Sequence, residues 1–292
     1  MRLATFIHAG VQRVGRIDAD GARVHPFELP ESEARRGALA IIELAVQDQP
    51  VPGTGAPLAL SQVRLLAPIP RPRRNLFCVG KNYHEHAREF AGSGFDTSAA
   101  SVKDAVPTDP IVFTKVPESV IGPGEPIRIP AGVSEAIDYE AELAVVIGRG
   151  GRGIQAADAM GHVWGYTIVN DVTARDWQHR HKQWDMGKSF DTFCPMGPWL
   201  VSAGECNGID TAIRCFVNGE RRQDARTSDL IFDVPKLIET LSAGITLYPG
   251  DLIATGTPVG VGIGFDPPKY LRAGDTVRVE IDGIGVLENP VV

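Results

Sequence analysis

The stretch Asp138-Tyr139-Glu140-Ala141-Glu142 runs straight into Leu143-Ala144-Val145-Val146-Ile147-Gly148, and few arrangements of chain tolerate that junction. The second run is apolar, rich in β-branched residues and of strand length, and a Gly-rich turn from Gly148 to Gly153 closes it, which predicts a buried strand. Side chains alternate faces along a strand, so Glu140 and Glu142 point the same way, about 7 Å apart. Two carboxylates entering a buried strand repel each other, and burial is tolerable only with a cation or several donors to compensate. A third carboxylate, Asp171, ends another strand-like run, Val163 to Asn170. Three converging carboxylates, with no thiolate or imidazole among them, suit a hard cation such as Mg²⁺ or Mn²⁺. Taken alone, a Glu-x-Glu pair more often lies at an exposed strand end or pairs with arginines; its company decides.

A chain of 292 residues can bury a substantial core. The formal charge of −7 argues against general nucleic-acid binding, which needs a basic surface. No apolar run approaches the roughly 20 residues of a bilayer span, and Met1 to Gly10 holds too short an apolar segment for a signal peptide. Cys78, Cys194, Cys206 and Cys215 show no metal or redox spacing and read as reduced, buried thiols. A soluble, cytoplasmic protein is expected.

The first 70 residues read as a small β-rich domain, with a helix from Ser32 to Gln47 capped by Ser32. An extended linker, Pro68 to Arg74, separates it from a larger domain over residues 71–292. Asn75 to Gly80 is a strand leading into a short helix that Asn82 can cap. On that helix His86 and Glu89, at i and i+3, share a face. A carboxylate that orients an imidazole makes a water-activating pair, although an exposed mixed-charge helix has the same local pattern. His84 lies off that face. The stretch 92–109 has no sustained period and reads as a flap over a site or as an inert insertion.

Thr173 is a candidate cap for a helix on which Arg175 and Gln178 share a face near Asp171, placed to hold a carboxylate. The plain alternative is a salt bridge from Arg175 to Asp176 or Asp185. His179 and His181 read as a solvated turn. Lys188 can supply a fixed positive charge; Gly187-Lys188-Ser189 is not a phosphate loop, because the motif's preceding glycine is missing. A short helix is expected over Ile154 to Met160, a hairpin at Asn218-Gly219, a helix from Val234 to Ser242 and a C-terminal strand pair. The loop Thr255 to Gly262 offers backbone amides and the Thr257 hydroxyl to a ligand carboxylate.

Five motifs stand in order: Gly-Lys-Asn-Tyr-x-x-His-x-x-Glu (80–89), Asp-Tyr-Glu-x-Glu (138–142), Asn-Asp-Val-Thr-Ala-Arg-Asp (170–176), Lys-Ser-Phe-Asp (188–191) and Thr-Gly-Thr-Pro-x-Gly-Val-Gly (255–262). Together they resemble the fumarylacetoacetate hydrolase family, from about residue 75 to the C-terminus. The resemblance implies an α+β, mostly β fold, a mixed roll of layered sheets with a few short helices, usually in homodimers. It implies that Glu140, Glu142 and Asp171 hold Mg²⁺ or Mn²⁺, that His86 and Glu89 activate water, and that Arg175, Gln178, Lys188 and Thr257 contact a 2-oxo acid. The first expectation is hydrolysis of the C–C bond of a 2,4-dioxo acid, such as an acylpyruvate from aromatic catabolism, releasing a metal-stabilised pyruvate enolate. The alternative within the family is an oxaloacetate-type decarboxylase or a hydroxymuconate-type isomerase or decarboxylase. A non-catalytic carboxylate binder is a third reading.

Overall fold

The strand predicted after Glu140 spans Ala141–Ile147 and is buried along its whole length. In the computed structural model, which describes residues 1–96 and 105–292, it lies in the middle of a twelve-stranded sheet. Its neighbours are Val163–Asn170 on one side and Leu252–Ala254 on the other, both antiparallel. Alternation sends Leu143, Val145 and Ile147 into one core and Ala144 and Val146 into a second. A strand buried on both faces reads as a continuous apolar run, as this one does.

The first core is completed by a four-stranded antiparallel sheet carrying Ile213, Cys215, Val277, Val279 and Ile281. Its hairpin turns at Asn218-Gly219, where both residues have positive φ (52° and 79°), the geometry an Asn-Gly pair accepts most readily. The second core gathers Phe90, Phe113 and Trp184 against the even-numbered face that also carries Glu142. All four cysteines are buried free thiols. Among the described residues no helix is long and apolar enough to cross a membrane. The architecture is thus the expected one, mostly β and layered, with few helices.

Strand pairing crosses the position near residue 70 where a domain boundary was expected: Arg2 and Leu3 pair with Val201 and Leu200, so the N-terminal strands extend the large sheet. The expected helix from Ser32 to Gln47 is two helices, Glu31–Ala34 and Leu39–Val46. Gly37 breaks it at φ 67°, where an added Cβ would sit 2.6 Å from the Pro68 carbonyl. Ser32 does not cap; Pro30, whose fixed φ suits a helix entrance, precedes the first turn. The helix expected from Ile154 is a 3₁₀ segment, Ala156–His162. The helix Val234–Ser242 matches expectation, and Asp233 caps it by accepting from the Lys236 amide at 2.9 Å. Of the 92–109 stretch, read as a flap or an inert insertion, residues 97–104 lie outside the described residues.

Candidate active site

Antiparallel register assembles the carboxylates. Ala141 pairs with Asn170, so the beginning of one strand lies beside the end of the other. The Asn170 side chain accepts from the Glu140 amide at 3.0 Å, and the Asp171 amide donates to the Glu140 carbonyl at 2.8 Å. Glu140, Glu142 and Asp171, all buried, then present oxygens within 4.8 Å of one another.

The compensation that the sequence demanded comes from three buried cations. Lys188 Nζ donates to Glu140 Oε2 at 2.8 Å and to Asp171 Oδ2 at 2.7 Å. Lys115 Nζ donates to Asp171 Oδ1 at 2.7 Å, to the Val172 carbonyl at 3.1 Å and to the Lys188 carbonyl. Arg175 bridges Glu140 Oε1 (2.7 Å) and Asp138 Oδ2 (2.9 Å). Burial raises Glu140, but Lys188 and Arg175 outweigh it and hold the carboxyl down at about 2. Glu142 differs: its Oε2 accepts a backbone amide, from Gly256 at 2.8 Å. Burial, then Asp171 and Glu140, push it well above the usual carboxylate range.

Glu142 is thus the one carboxylate of the cluster that no cation among the described residues meets directly, beside two that are ion-paired. That is where a hard divalent cation with oxygen ligands fits. One consequence is testable by Mn²⁺ titration. Burial and the two neighbouring carboxylates favour the protonated form of Glu142, and a cation must displace that proton, so Mn²⁺ affinity should rise with pH and binding should release protons. Affinity independent of pH through the neutral range would contradict this account of Glu142.

The short helix His84–Gly92 brings up the dyad. His86 Nδ1 lies 3.0 Å from Glu89 Oε2. A carboxylate only accepts, so Nδ1 carries the proton and Nε2 is left as a base. His86 lines the same cavity as Glu140 and Glu142, while His84 is exposed. Asn82 does not cap this helix; Tyr83 holds that place. The Asn82 side chain instead donates to the Thr255 and Phe232 carbonyls (2.8 and 2.9 Å) and accepts from the Phe232 amide, pinning the helix entrance to two distant segments.

Seven of the nine expected residues line one tight cavity: His86, Glu140, Glu142, Arg175, Gln178, Lys188 and Thr257. Asp171 and Glu89 stand directly behind that lining, bonded to Lys188 and His86. Phe90, Phe113 and Trp184 form the apolar wall.

Several expectations are corrected in detail. Thr173 does not cap its helix; Ala174 occupies that position with no side-chain cap, and the Thr173 hydroxyl donates to the Asp171 carbonyl at 2.9 Å. Arg175 pairs with Asp138 and Glu140 rather than with Asp176 or Asp185, which bond Ser134 and Thr114. Its Nη1 also donates to Gln178 Oε1 at 3.1 Å, while its buried Nη2 has no hydrogen-bond partner among the described residues. The amides of the 255–262 loop do not form a free cradle. Those of Gly256, Gly260 and Gly262 go to carboxylates of the protein itself. Thr257 Oγ1 accepts from Gln223 Nε2 at 2.8 Å and keeps its own proton to donate.

Sequence reasoning missed Lys115 and Asp138. Lys115 ends the strand Ile111–Lys115 on the same face as the buried Phe113, a period-2 signal that would have found it. Asp138 opens the carboxylate motif but points to Arg175 and to the amides of Gly262 and Ile263.

Three buried carboxylates that could hold a metal ion thus face a carboxylate-oriented imidazole across one cavity, carried on layered β-sheets. Residues 75–292 match the family model described as fumarylacetoacetate (FAA) hydrolase, C-terminal, and the chain belongs to the fumarylacetoacetate hydrolase family. The oxaloacetate tautomerase YisK of Bacillus subtilis is 52% identical over 234 residues, covering 80% of this chain and 74% of that protein. The human mitochondrial oxaloacetate tautomerase FAHD2A is 44% identical over 238 residues, 80% of this chain and 71% of the relative. Among solved structures, the fumarylacetoacetate hydrolase of Exiguobacterium antarcticum superposes with a TM-score of 0.83 at 39% identity, covering 100% of this chain and 99% of the other. The 5-carboxymethyl-2-hydroxymuconate delta-isomerase of Mycobacterium smegmatis gives 0.78 at 37% identity, with the same coverage.

Proposed function

We propose that this protein is a divalent-metal-dependent isomerase that interconverts the keto and enol forms of a small 2-oxo diacid of the oxaloacetate type. The observation that carries this reading is a single imidazole base, His86, facing the same small cavity as the carboxylate cluster. Tautomerisation needs a group that gives and takes one proton at carbon, and fixed positive charge for the neighbouring oxygen; it needs no nucleophile. The names of the similar proteins point the same way and favour isomerisation over the C–C hydrolysis first expected from the sequence.

In this reading Arg175 Nη2, Gln178 and the Thr257 hydroxyl hold a substrate carboxylate. Glu140, Glu142 and Asp171 would hold Mg²⁺ or Mn²⁺, which when bound would supply Lewis-acid stabilisation of developing negative charge. His86 Nε2 takes the proton from the carbon beside the ketone and delivers it to the 2-oxo oxygen to give the enol, and carries it from oxygen back to carbon in the reverse direction, with Glu89 stabilising the transient imidazolium. Lys188 contributes charge from a fixed position. Burial pulls its ammonium down, but Asp171 and Glu140 raise it further, so it stays protonated. The apolar wall of Phe90, Phe113 and Trp184 keeps bulk water away from the carbanion-like centre.

The test is to follow the ultraviolet absorbance of enol-oxaloacetate with Mg²⁺, Mn²⁺ or EDTA while assaying pyruvate. Metal-dependent loss of the enol without pyruvate is the expected result. Stoichiometric pyruvate from oxaloacetate would make the protein a decarboxylase, and pyruvate plus free acid from an acylpyruvate would return the assignment to a hydrolase.

A further inference from the structure

One loop, residues 255–264, spends its backbone amides on three acidic groups with different tasks. Gly256 donates to Glu142, a carboxylate of the cluster, at 2.8 Å. Gly260 donates to Glu89 Oε1 at 2.9 Å. Gly262 and Ile263 donate to the two oxygens of Asp138, the anchor of Arg175, at 2.6 and 3.0 Å. The glycines serve distinct purposes. Gly260 needs its φ of 104° and the absence of a side chain, because a Cβ would lie 1.9 Å from the Arg222 carbonyl. Gly264 has no such backbone demand. The three atoms nearest to a Cβ there all belong to the Glu89 side chain: Oε1 at 2.0 Å, Cδ at 2.4 Å and Cγ at 2.6 Å.

We propose that Gly260 and Gly264 are positioning residues for proton transfer, forming a slot that fixes the Glu89 carboxylate and, through it, the orientation of His86. The inference rests on the reading of His86 and Glu89 as the proton-transfer pair. Glu89 is held at both oxygens, Oε1 by the Gly260 amide and Oε2 by His86 Nδ1, with Gly264 leaving the space it occupies. A methyl group at 264 would strike the mobile end of a side chain, not backbone. The fold can therefore absorb it by moving Glu89, and that movement is what the dyad cannot absorb. A misplacement of about 1 Å at a catalytic constellation costs on the order of 10²-fold in rate.

The experiment is Gly264→Ala, alone and combined with Glu89→Asp, which withdraws the carboxylate by one methylene. Gly264→Ala is expected to keep the wild-type Tm, Mn²⁺ affinity and KM, to lose on the order of 10²-fold in kcat, and to shift or lose the downfield His86 Nδ1–H resonance. The double variant should be no slower than the slower single variant, because the two changes act on one contact. An unchanged kcat and resonance in Gly264→Ala would overturn the proposal, as would additive losses in the double variant. So would a joint fall in Tm and Mn²⁺ affinity, which would make the loop merely structural. The resonance is recorded without substrate. A protein that ignores oxaloacetate but loses the resonance on Gly264→Ala would thus refute the substrate reading and leave the slot standing.

Discussion

His86→Ala should lower kcat for the enol-to-keto conversion of oxaloacetate by about two to four orders of magnitude, the range a positioned acid–base group contributes. Mn²⁺ affinity should stay near wild type, because His86 bonds Glu89 and none of the cluster carboxylates. Exchange of the C3 protons of oxaloacetate with D₂O, followed by proton NMR, reads the same step directly and should fall in parallel. A variant that retained rapid exchange would place the base elsewhere. Loss of Mn²⁺ binding along with activity would make His86 a ligand and require the cluster to be redrawn.

Lys115→Met should have the largest effect on stability. Lys115 is fully buried, and its ammonium meets Asp171, the Val172 carbonyl and the Lys188 carbonyl. Methionine fills similar volume but leaves Asp171 with Lys188 as its one ion-pair partner and strips two carbonyls of a donor. Breaking a buried pair from one side costs about 3–5 kcal/mol. In a protein of this size that corresponds to a Tm lower by on the order of 10 °C. Saturating Mn²⁺ should recover part of the loss, because a cation that binds only the folded state stabilises it. Calorimetry with and without Mn²⁺ checks both halves. A wild-type Tm for the metal-free variant would show that Lys115 is not needed to compensate Asp171.

The central strand was legible because its pattern is local: apolar residues at strand length, closed by a glycine turn, with carboxylates at its mouth. The Asn218-Gly219 hairpin and the Val234–Ser242 helix were legible for the same reason, their signals lying within a few residues. Two of the three missed caps share a cause. Asn82 and Thr173 are good cap residues, but tertiary partners claimed their side chains: Thr255 and Phe232 for one, the Asp171 carbonyl for the other. Ser32 lost its place to Pro30.

The site residues were found as types and positions, but their pairings were not. Arg175 meets Asp138 and Glu140 only because a two-stranded ladder brings Ala174 beside Ile137. The glycine loop looked like a ligand cradle because a sequence shows amides on offer and hides the carboxylates that take them. Lys115 was overlooked as the polar end of an ordinary strand, when a charged residue in phase with a buried phenylalanine should have drawn a search for its partner.

The order of strands in the large sheet also bears on when the parts come together during synthesis. Glu140, Glu142 and Asp171 lie in or directly beside two neighbouring antiparallel strands, Ala141–Ile147 and Val163–Asn170, that follow one another in the chain, so that pair can form as soon as residue 171 has emerged. The strand Leu76–Gly80, which leads to His86, is not hydrogen-bonded to that pair; in the sheet Leu252–Ala254 lies between them. The helix bearing the base is therefore made early and seated late, waiting for about 170 further residues before the segment that docks it exists. The loop that grips Glu89 follows that segment directly. A ribosome-bound chain stopped near residue 250 would hold the acidic half of the site in register while its imidazole half had no place to land.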